Sequence, residues 1–203
     1  QIMAIKAAQY SGVLAASDIA EGIYYAVSRG ADVINMSFGG YARSQVEEDA
    51  LAVAFGQAVL VAAAGNDANV NLPCLGGMNM YPAAYNWVLG VMASTKTANE
   101  FGSYLAFFSN FDCISHDAQE YELMAPGVGI YSTLPGEQYA AWSGTSMAAP
   151  IVSGIAALAR TQWADKDVYS SRFIMGQIAS NTSQPIGGVA NALTALSVLP
   201  KPE

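Results

Sequence analysis

The chain has 203 residues, of which 53% are apolar and only 12% are charged, so we expect one domain with a large buried core. Its formal net charge of −8 argues against nucleic acid or an anionic membrane surface as a partner. No apolar run approaches the roughly 20 residues that a membrane-spanning helix requires, so the sequence predicts no membrane span.

The start of the chain and its two cysteines carry further expectations. The first ten residues lack the basic start and cleavage site of a signal peptide. The chain opens with Gln1 rather than an initiator methionine and continues directly into a predicted strand, so we expect a piece of a longer protein. Cys74 and Cys113 both lie in polar stretches rich in turn-forming residues. They are either joined by a disulfide that closes the long loop between them or are two free thiols.

Apolar runs and helical patterns alternate in the first third of the chain. The predicted elements are a strand at 2–7, a helix at 18–30 capped by Ser17, a strand at 31–37, a helix at 44–56 and a strand at 57–64. This order is typical of βαβ units, which form a parallel sheet. The sequence therefore predicts an α/β fold.

The rest of the chain predicts shorter strands, a hairpin and further helices. They are strands at 87–93 and 122–125, a hairpin at 130–134 and 138–142, a central helix with its apolar run at 151–159, outer helices at 168–180 and 189–198, and a tail at 199–203. The central helix is apolar nearly all round, so we expect it to run through the core.

The segment that leads into the central helix, residues 143–150, carries the best functional signal. Its Ser and Thr residues are typical helix caps, and Pro150 cannot donate a hydrogen bond to the carbonyl of Ser146, which predicts a place in the first turn. Backbone N–H groups at such a helix start favour negative charge. Ser146 is therefore either a simple cap or a nucleophile whose reaction develops an oxyanion.

A second polar group is expected at the same edge of the sheet. Ligands bind beyond the carboxyl ends of parallel strands, and the segments 37–40, 62–66 and 144–146 converge there. Asn66 follows its strand through Gly65, so its amide could donate to an oxyanion. The alternative is an ordinary turn residue.

These segments resemble those of the subtilisin-like serine proteases, the subtilases. Residues 144–150 resemble the serine motif G-T-S-M-A-x-P, and 32–40 and 61–66 resemble the substrate-binding and oxyanion-hole segments. Shorter matches at 81–85, 124–127 and 130–136 keep the order. The resemblance implies a three-layer, mostly parallel β-sheet with helices on both faces, with residues 1–198 forming the C-terminal portion of the catalytic domain and the N-terminal part absent.

The resemblance also implies site residues, position by position. Ser146 resembles the nucleophile and Asn66 the oxyanion donor of a serine endopeptidase. The implied substrate-binding residues are Ser37, Phe38 and Gly39, whose edge pairs with the substrate backbone, and Ala63, Ala64 and Gly65, which form the opposite wall of the first specificity pocket. Small residues there predict a roomy pocket that takes a large apolar side chain before the scissile bond.

The general base and its orienting partner are not recognisable. The single histidine, His116, lies in a polar run that does not match the family's histidine motif, and Asp32 stands at the wrong end of its predicted strand. In subtilases the Asp and His precede the serine, so we expect them on the missing N-terminal part, which is a required partner. The related sedolisin group uses Glu and Asp upstream, but has aspartate where this chain has Asn66. The piece alone is predicted to hydrolyse nothing.

The remaining expectations concern cofactors, location and alternatives. The chemistry needs no cofactor or catalytic metal, although a structural calcium site is possible, with carbonyls at positions resembling Ala83, Tyr85 and Val88 and the carboxylate of Glu122. The resemblance and the loop cysteines imply a secreted or extracytoplasmic protein acting on peptides or proteins. The alternatives are a pseudoprotease or peptide-binding module that keeps the cleft, and a purely structural α/β domain.

Overall fold

The structure is a computed structural model, and it describes residues 1–8, 12–68, 70–71, 79–98, 104–112, 121–182 and 188–197. Four features named above lie outside the described residues: Cys74, Cys113, His116 and the tail at 199–203. The disulfide question therefore stays open.

Within the described residues the chain forms five helices and eight strands. In chain order they are α1 (Ala16–Ser28), β1 (Val33–Met36), α2 (Gln45–Phe55), β2 (Val59–Ala63), β3 (Val70–Asn71), β4 (Leu89–Ser94), β5 (Phe111–Asp112), β6 (Leu123–Pro126), β7 (Ile130–Leu134), β8 (Gln138–Trp142), α3 (Thr145–Gln162), α4 (Ser171–Ser180) and α5 (Ala192–Ser197). None of these helices combines the length and the apolar character needed to cross a membrane.

The central sheet has four parallel strands in the order β1-β2-β4-β6. Asn35 is in register with Val61, and Val61 is in register with Leu89. The carboxyl ends of β1, β2 and β4 therefore meet at one edge, as the βαβ order predicts. The pair β3–β5 is parallel, and β7–β8 forms an antiparallel hairpin with the predicted bounds.

Helices cover both faces of this sheet. Val59 and Val61 of β2 belong to a core layer with α3, α4 and α5, whereas Leu60 and Ala62 belong to a second layer with α1 and α2. This division follows from the alternation of side chains along a strand, and all of β2 is buried. The predicted three-layer α/β fold is confirmed. Each fully buried aliphatic side chain contributes about 1.5–3 kcal/mol.

The prediction of a strand at 2–7 is wrong. These residues form no strand, and Ile2 is 94% exposed, while Ile5 packs against Gly22 of α1. A strand requires a neighbour whose backbone groups complete the ladder, and the described part of the chain offers none to this segment. Apolar character alone does not supply that neighbour.

Several helix starts also differ from the prediction. Helix α1 begins at Ala16 after Ala15, with no side-chain cap, so Ser17 is inside the helix. Helix α4 begins at Ser171, because Ser170 caps it by accepting from the N–H of Phe173. The predicted first turn of α4 is instead a separate turn.

The start of α5 shifts for a different reason. Val189 pairs with Met124 in a parallel bridge, in which the N–H of Ala190 donates to the carbonyl of Met124 over 2.7 Å. The helix begins only after Asn191, whose side-chain oxygen accepts from the N–H of Leu193 over 3.0 Å. A contact far along the chain thus replaces the predicted first turn.

Candidate active site

A cleft lies where the carboxyl ends of β1 and β2 face the start of α3. It is about 180 Å³ in volume and is lined by Phe38, Gly39, Ala63, Gly65, Asn66, Asp67, Met80, Thr145 and Ser146. Asn66 is exposed and Ser146 is partly exposed, so both side chains reach solvent. The sheet and the central helix thereby bring together residues far apart in the chain.

The carboxamide of Asn66 is oriented by Thr145. Its oxygen accepts from the backbone N–H of Thr145 over 2.8 Å and from the Thr145 hydroxyl over 3.0 Å. The same hydroxyl accepts from the N–H of Gly65 over 3.1 Å, and Thr145 is fully buried. Because both donors fix the oxygen, the NH₂ group of Asn66 remains available to donate a hydrogen bond to a ligand, and it has no acceptor among the described residues.

Ser146 and Ser37 form a reciprocal pair of hydrogen bonds, in which the hydroxyl of each residue donates to the backbone carbonyl of the other. Ser146 Oγ donates to the Ser37 carbonyl over 3.1 Å, and Ser37 Oγ donates to the Ser146 carbonyl over 2.9 Å. Asn35 Nδ2 donates to Ser37 Oγ, and Ser153 Oγ donates to the side-chain oxygen of Asn35. These bonds tie the end of β1 to the first turns of α3.

Pro150 explains why the Ser146 carbonyl is available. Pro150 is the sixth residue of α3, so the prediction that it lies in the first turn is wrong. It has no N–H to donate to the Ser146 carbonyl, which would otherwise be its partner within the helix. The hydroxyl of Ser37 takes that place, so a proline deeper in the helix is tolerated.

The backbone beyond β1 offers a short unpaired edge. Gly40 exchanges two hydrogen bonds of 2.8 Å with Tyr81, which ends the edge. Before it, the N–H and C=O groups of Phe38 and Gly39 have no partner within the described ranges. An extended peptide can pair with such an edge.

Two residues predicted to bind substrate, Ser37 and Ala64, do not line the cleft. The side chain of Ala64 is fully buried in the core layer of α1 and α2, and its carbonyl accepts from Asn110 Nδ2 over 2.9 Å. Ala63, one residue earlier, lines the cleft. Neighbouring residues of an extended chain point to opposite faces, so the two cannot both face the cleft.

Two cleft residues were not anticipated from the sequence. Asp67 follows Asn66 directly, and its carboxylate accepts from the Tyr41 hydroxyl over 2.5 Å. Met80 reaches the cleft from a distant part of the chain. The position of Asp67 beside Asn66 was a usable signal, whereas no local pattern marks Met80.

The described residues contain no group of three or more His, Cys, Asp or Glu side chains that could hold a metal ion. Glu122 accepts from the N–H of Gly90 over 2.6 Å, and the carbonyl of Tyr85 accepts from the N–H of Val88 over 2.9 Å. The calcium site stays a prediction.

Comparison with known proteins decides the family. Residues 1–192 match the Subtilase family. The chain belongs to the subtilase family. Subtilisin DY of Bacillus licheniformis is 37% identical over 183 residues, covering 89% of this chain and 61% of the relative. The thermophilic serine proteinase of Bacillus sp. (strain AK1) is 38% identical, covering 80% of this chain and 36% of the relative. The chain thus spans less than two thirds of the length of either relative.

Solved structures of other proteases share the fold. The self-cleaved protease domain of PatA superposes with a TM-score of 0.73 at 28% identity, covering 91% of this chain and 68% of that one. The prenylagaramide maturation protease PagA gives a TM-score of 0.73 at 25% identity, with the same coverage of both chains. The predicted subtilase membership and subtilisin-like fold are confirmed.

Proposed function

We propose that this chain carries the nucleophile and the oxyanion hole of a serine endopeptidase. The observation that supports this function best is that Ser146 and Asn66 line one cleft, with the side-chain oxygen of Asn66 held by Thr145. Membership of the subtilase family supports the same chemistry. A simple helix cap needs no oriented carboxamide opposite it.

In the proposed reaction, Ser146 Oγ attacks the carbonyl carbon of the scissile peptide bond. The carbonyl oxygen becomes an oxyanion, which accepts from Asn66 Nδ2 and from the Ser146 N–H, a donor with no partner among the described residues. Collapse of the intermediate breaks the C–N bond and releases the amine, which receives the proton that the base took from Ser146, leaving an acyl-enzyme. Water then hydrolyses the ester, which releases the carboxylic acid product and restores the Ser146 hydroxyl.

A base has to take the Ser146 proton, and the Ser37 carbonyl cannot. An amide carbonyl holds the hydroxyl in place but is not protonated near neutral pH. We infer that a histidine and an aspartate on sequence preceding residue 1 supply the base and its orientation, as family resemblance implies. The single histidine of the printed sequence, His116, is not assigned this role.

The substrate in this proposal is an extended peptide or protein segment. Its backbone pairs with the free edge at Phe38 and Gly39, which places one peptide bond beside Ser146. We also propose a secreted or extracytoplasmic location, supported by family resemblance and by the presence of two cysteines in the sequence. Detection of the native protein only inside cells would contradict that location.

The test compares the full-length protein with two variants. A fluorophosphonate probe and a casein hydrolysis assay are applied to the wild type, to Ser146→Ala and to Ser132→Ala, an exposed serine of β7 outside the cleft. We expect labelling and hydrolysis to be lost only in Ser146→Ala. A full-length protein that is folded but unlabelled at Ser146 would favour the peptide-binding module.

The printed chain alone provides a second test. We expect these 203 residues to hydrolyse nothing by themselves. Hydrolysis by this piece that disappears in Ser146→Ala would contradict the proposal that the base lies on another segment.

A further inference from the structure

The side chain of Met80 lies across the cleft, between the segments that follow β1 and β2. A Cβ built on Gly39 would lie 2.9 Å from the Met80 sulfur, and one built on Gly65 would lie 2.6 Å from its methyl carbon. Both distances are shorter than real carbon contacts allow. The thioether therefore fills the space between the two glycines that family resemblance assigns to opposite walls of the first specificity pocket.

Met80 is held in this position by its backbone and by its burial. Its N–H donates to the Tyr121 hydroxyl over 3.0 Å, and its carbonyl accepts from the N–H of Ala84 over 2.9 Å. The side chain is only 7% exposed and belongs to the core layer of α1 and α2. It is a fixed part of the cleft floor rather than a surface side chain.

The space that remains above Met80 is limited. The Met80 thioether occupies the part of the cleft between Gly39 and Gly65, where family resemblance places the side chain before the scissile bond. At the margin, Asp67 is held by Tyr41 and by its own N–H, which donates to Asn110 over 3.1 Å. A large side chain would have to displace the Met80 thioether from its packing.

We propose that Met80 restricts the residue before the scissile bond to a small one, such as Gly, Ala or Ser. The proposal rests on the peptidase function proposed above and names its substrate class. It replaces the expectation of a roomy pocket, which considered only the small residues at 63–65. Methionine is unbranched and adaptable, so large side chains are disfavoured rather than excluded.

The experiment measures kcat/KM of the full-length protein on peptides that differ only in the residue before the scissile bond, namely Ala, Ser, Leu, Phe and Lys. We expect Ala to exceed Phe by roughly tenfold or more. Met80→Ala is expected to raise kcat/KM for the Phe peptide by roughly tenfold, because the thioether is removed. A wild-type preference for Phe or Lys would overturn the proposal.

Control variants separate pocket size from stability. Met124→Ala removes a methionine that is 8% exposed in the same core layer but does not line the cleft, and we expect its Ala-to-Phe ratio to match the wild type. Met80→Leu keeps the side-chain volume and should keep the small preference. If Met80→Ala does not fold, Met80→Val is measured instead, and an unchanged ratio in that variant overturns the proposal.

Fluorophosphonate labelling of Ser146 distinguishes the two proposals. An unlabelled, inactive wild type contradicts the peptidase function itself. A labelled, active wild type whose preference does not respond to Met80→Ala contradicts only the role of Met80.

Discussion

The orientation of one carboxamide sets the chemistry available in the cleft. The oxygen of Asn66 accepts from two donors of Thr145, so its NH₂ group is the part of the carboxamide that remains without a partner among the described residues. An oriented donor costs no reorganisation when charge develops in the transition state. Thr145 thus acts on the proposed reaction through Asn66 and is a positioning residue.

Asn66→Ala in the full-length protein removes that donor. We expect kcat to fall by about 10²–10³-fold with a small change in KM, a magnitude known for the equivalent donor of a subtilisin. The measurement is steady-state hydrolysis of a peptide substrate. Asn86→Ala, which removes an exposed asparagine outside the cleft, is the matched control and should keep full activity. Equal kcat in the two variants would contradict the assignment of Asn66.

A second residue stands out by its burial. Glu47 is only 5% exposed in the first turn of α2, and this burial raises the pKa of its carboxyl to about 7. The sequence places Glu47, Glu48 and Asp49 together in that turn and gives no means of telling which one faces inward. Packing of α2 against the sheet and α1 makes that choice.

Glu47 predicts a pH dependence of stability. Its pKa is higher in the folded state than the ordinary 4.5, so the folded state binds more protons between about pH 4.5 and 7. Stability from this group is therefore present at low pH and is lost as pH rises through that window. The difference in free energy of unfolding between Glu47→Gln and the wild type should therefore shift in favour of Glu47→Gln by on the order of 2 kcal/mol from pH 4 to pH 8.

Urea denaturation of the full-length protein at both pH values measures this gain. Glu21→Gln, an exposed glutamate on α1, is the control and should show no such change. A pH-independent difference between Glu47→Gln and the wild type would show that the buried carboxyl does not titrate in this range.

At the scale of elements, the start of α3 depends on a partner from β1. Pro150 leaves the Ser146 carbonyl without its helical donor, and the Ser37 hydroxyl replaces it. The Ser146 carbonyl is partly buried, so leaving it without a donor should cost at most the roughly 1–3 kcal/mol of a fully buried one, and the proline and the serine should be energetically coupled.

A double-mutant cycle tests that coupling. We expect Ser37→Ala to lower the free energy of unfolding by about 1–2 kcal/mol in the wild type, and by less than half of that in Pro150→Ala, where an N–H is restored. Urea denaturation of the four proteins provides the values. Additive effects of the two substitutions would mean that the Ser37 hydroxyl does not compensate for the proline.

Elements could be predicted from the sequence where one local signal decides them. The apolar run of β2 and the hairpin at Pro135-Gly136 follow from periodicity and turn chemistry. The start of α5 could not be predicted in this way, because Val189 forms a parallel bridge with Met124 instead of joining the helix. The segment at 2–7 failed for the opposite reason, since its pattern is right for a strand but the described residues give it no partner.

At the scale of the molecule, the excess of acidic residues predicts how the surface behaves. The sequence has 16 Asp and Glu against 8 Lys and Arg. We expect the 203-residue chain not to bind a labelled DNA duplex at physiological salt. The measurement is fluorescence polarisation, with a cationic protein as positive control. Binding that weakens steeply as salt is added would contradict this expectation.

The candidate site was predictable in its outline because it lies where strand ends and a helix start converge. Ser146, Asn66 and the edge at Phe38 follow from that topology and from family resemblance. Met80 does not, since its approach to Gly39 and Gly65 is a tertiary contact that no local sequence pattern marks. The Asn35–Ser153 contact is similarly a product of packing between β1 and α3.

Strand β2 packs against both helical layers and ends at Ala63, three residues before Asn66. Its five residues are buried, alternately toward one helical layer and the other. A cavity created by truncating Leu60 on one face or Val61 on the other would therefore shift the end of β2 and with it the carboxamide of Asn66. Mutations deep in either layer should consequently impair turnover before they unfold the protein.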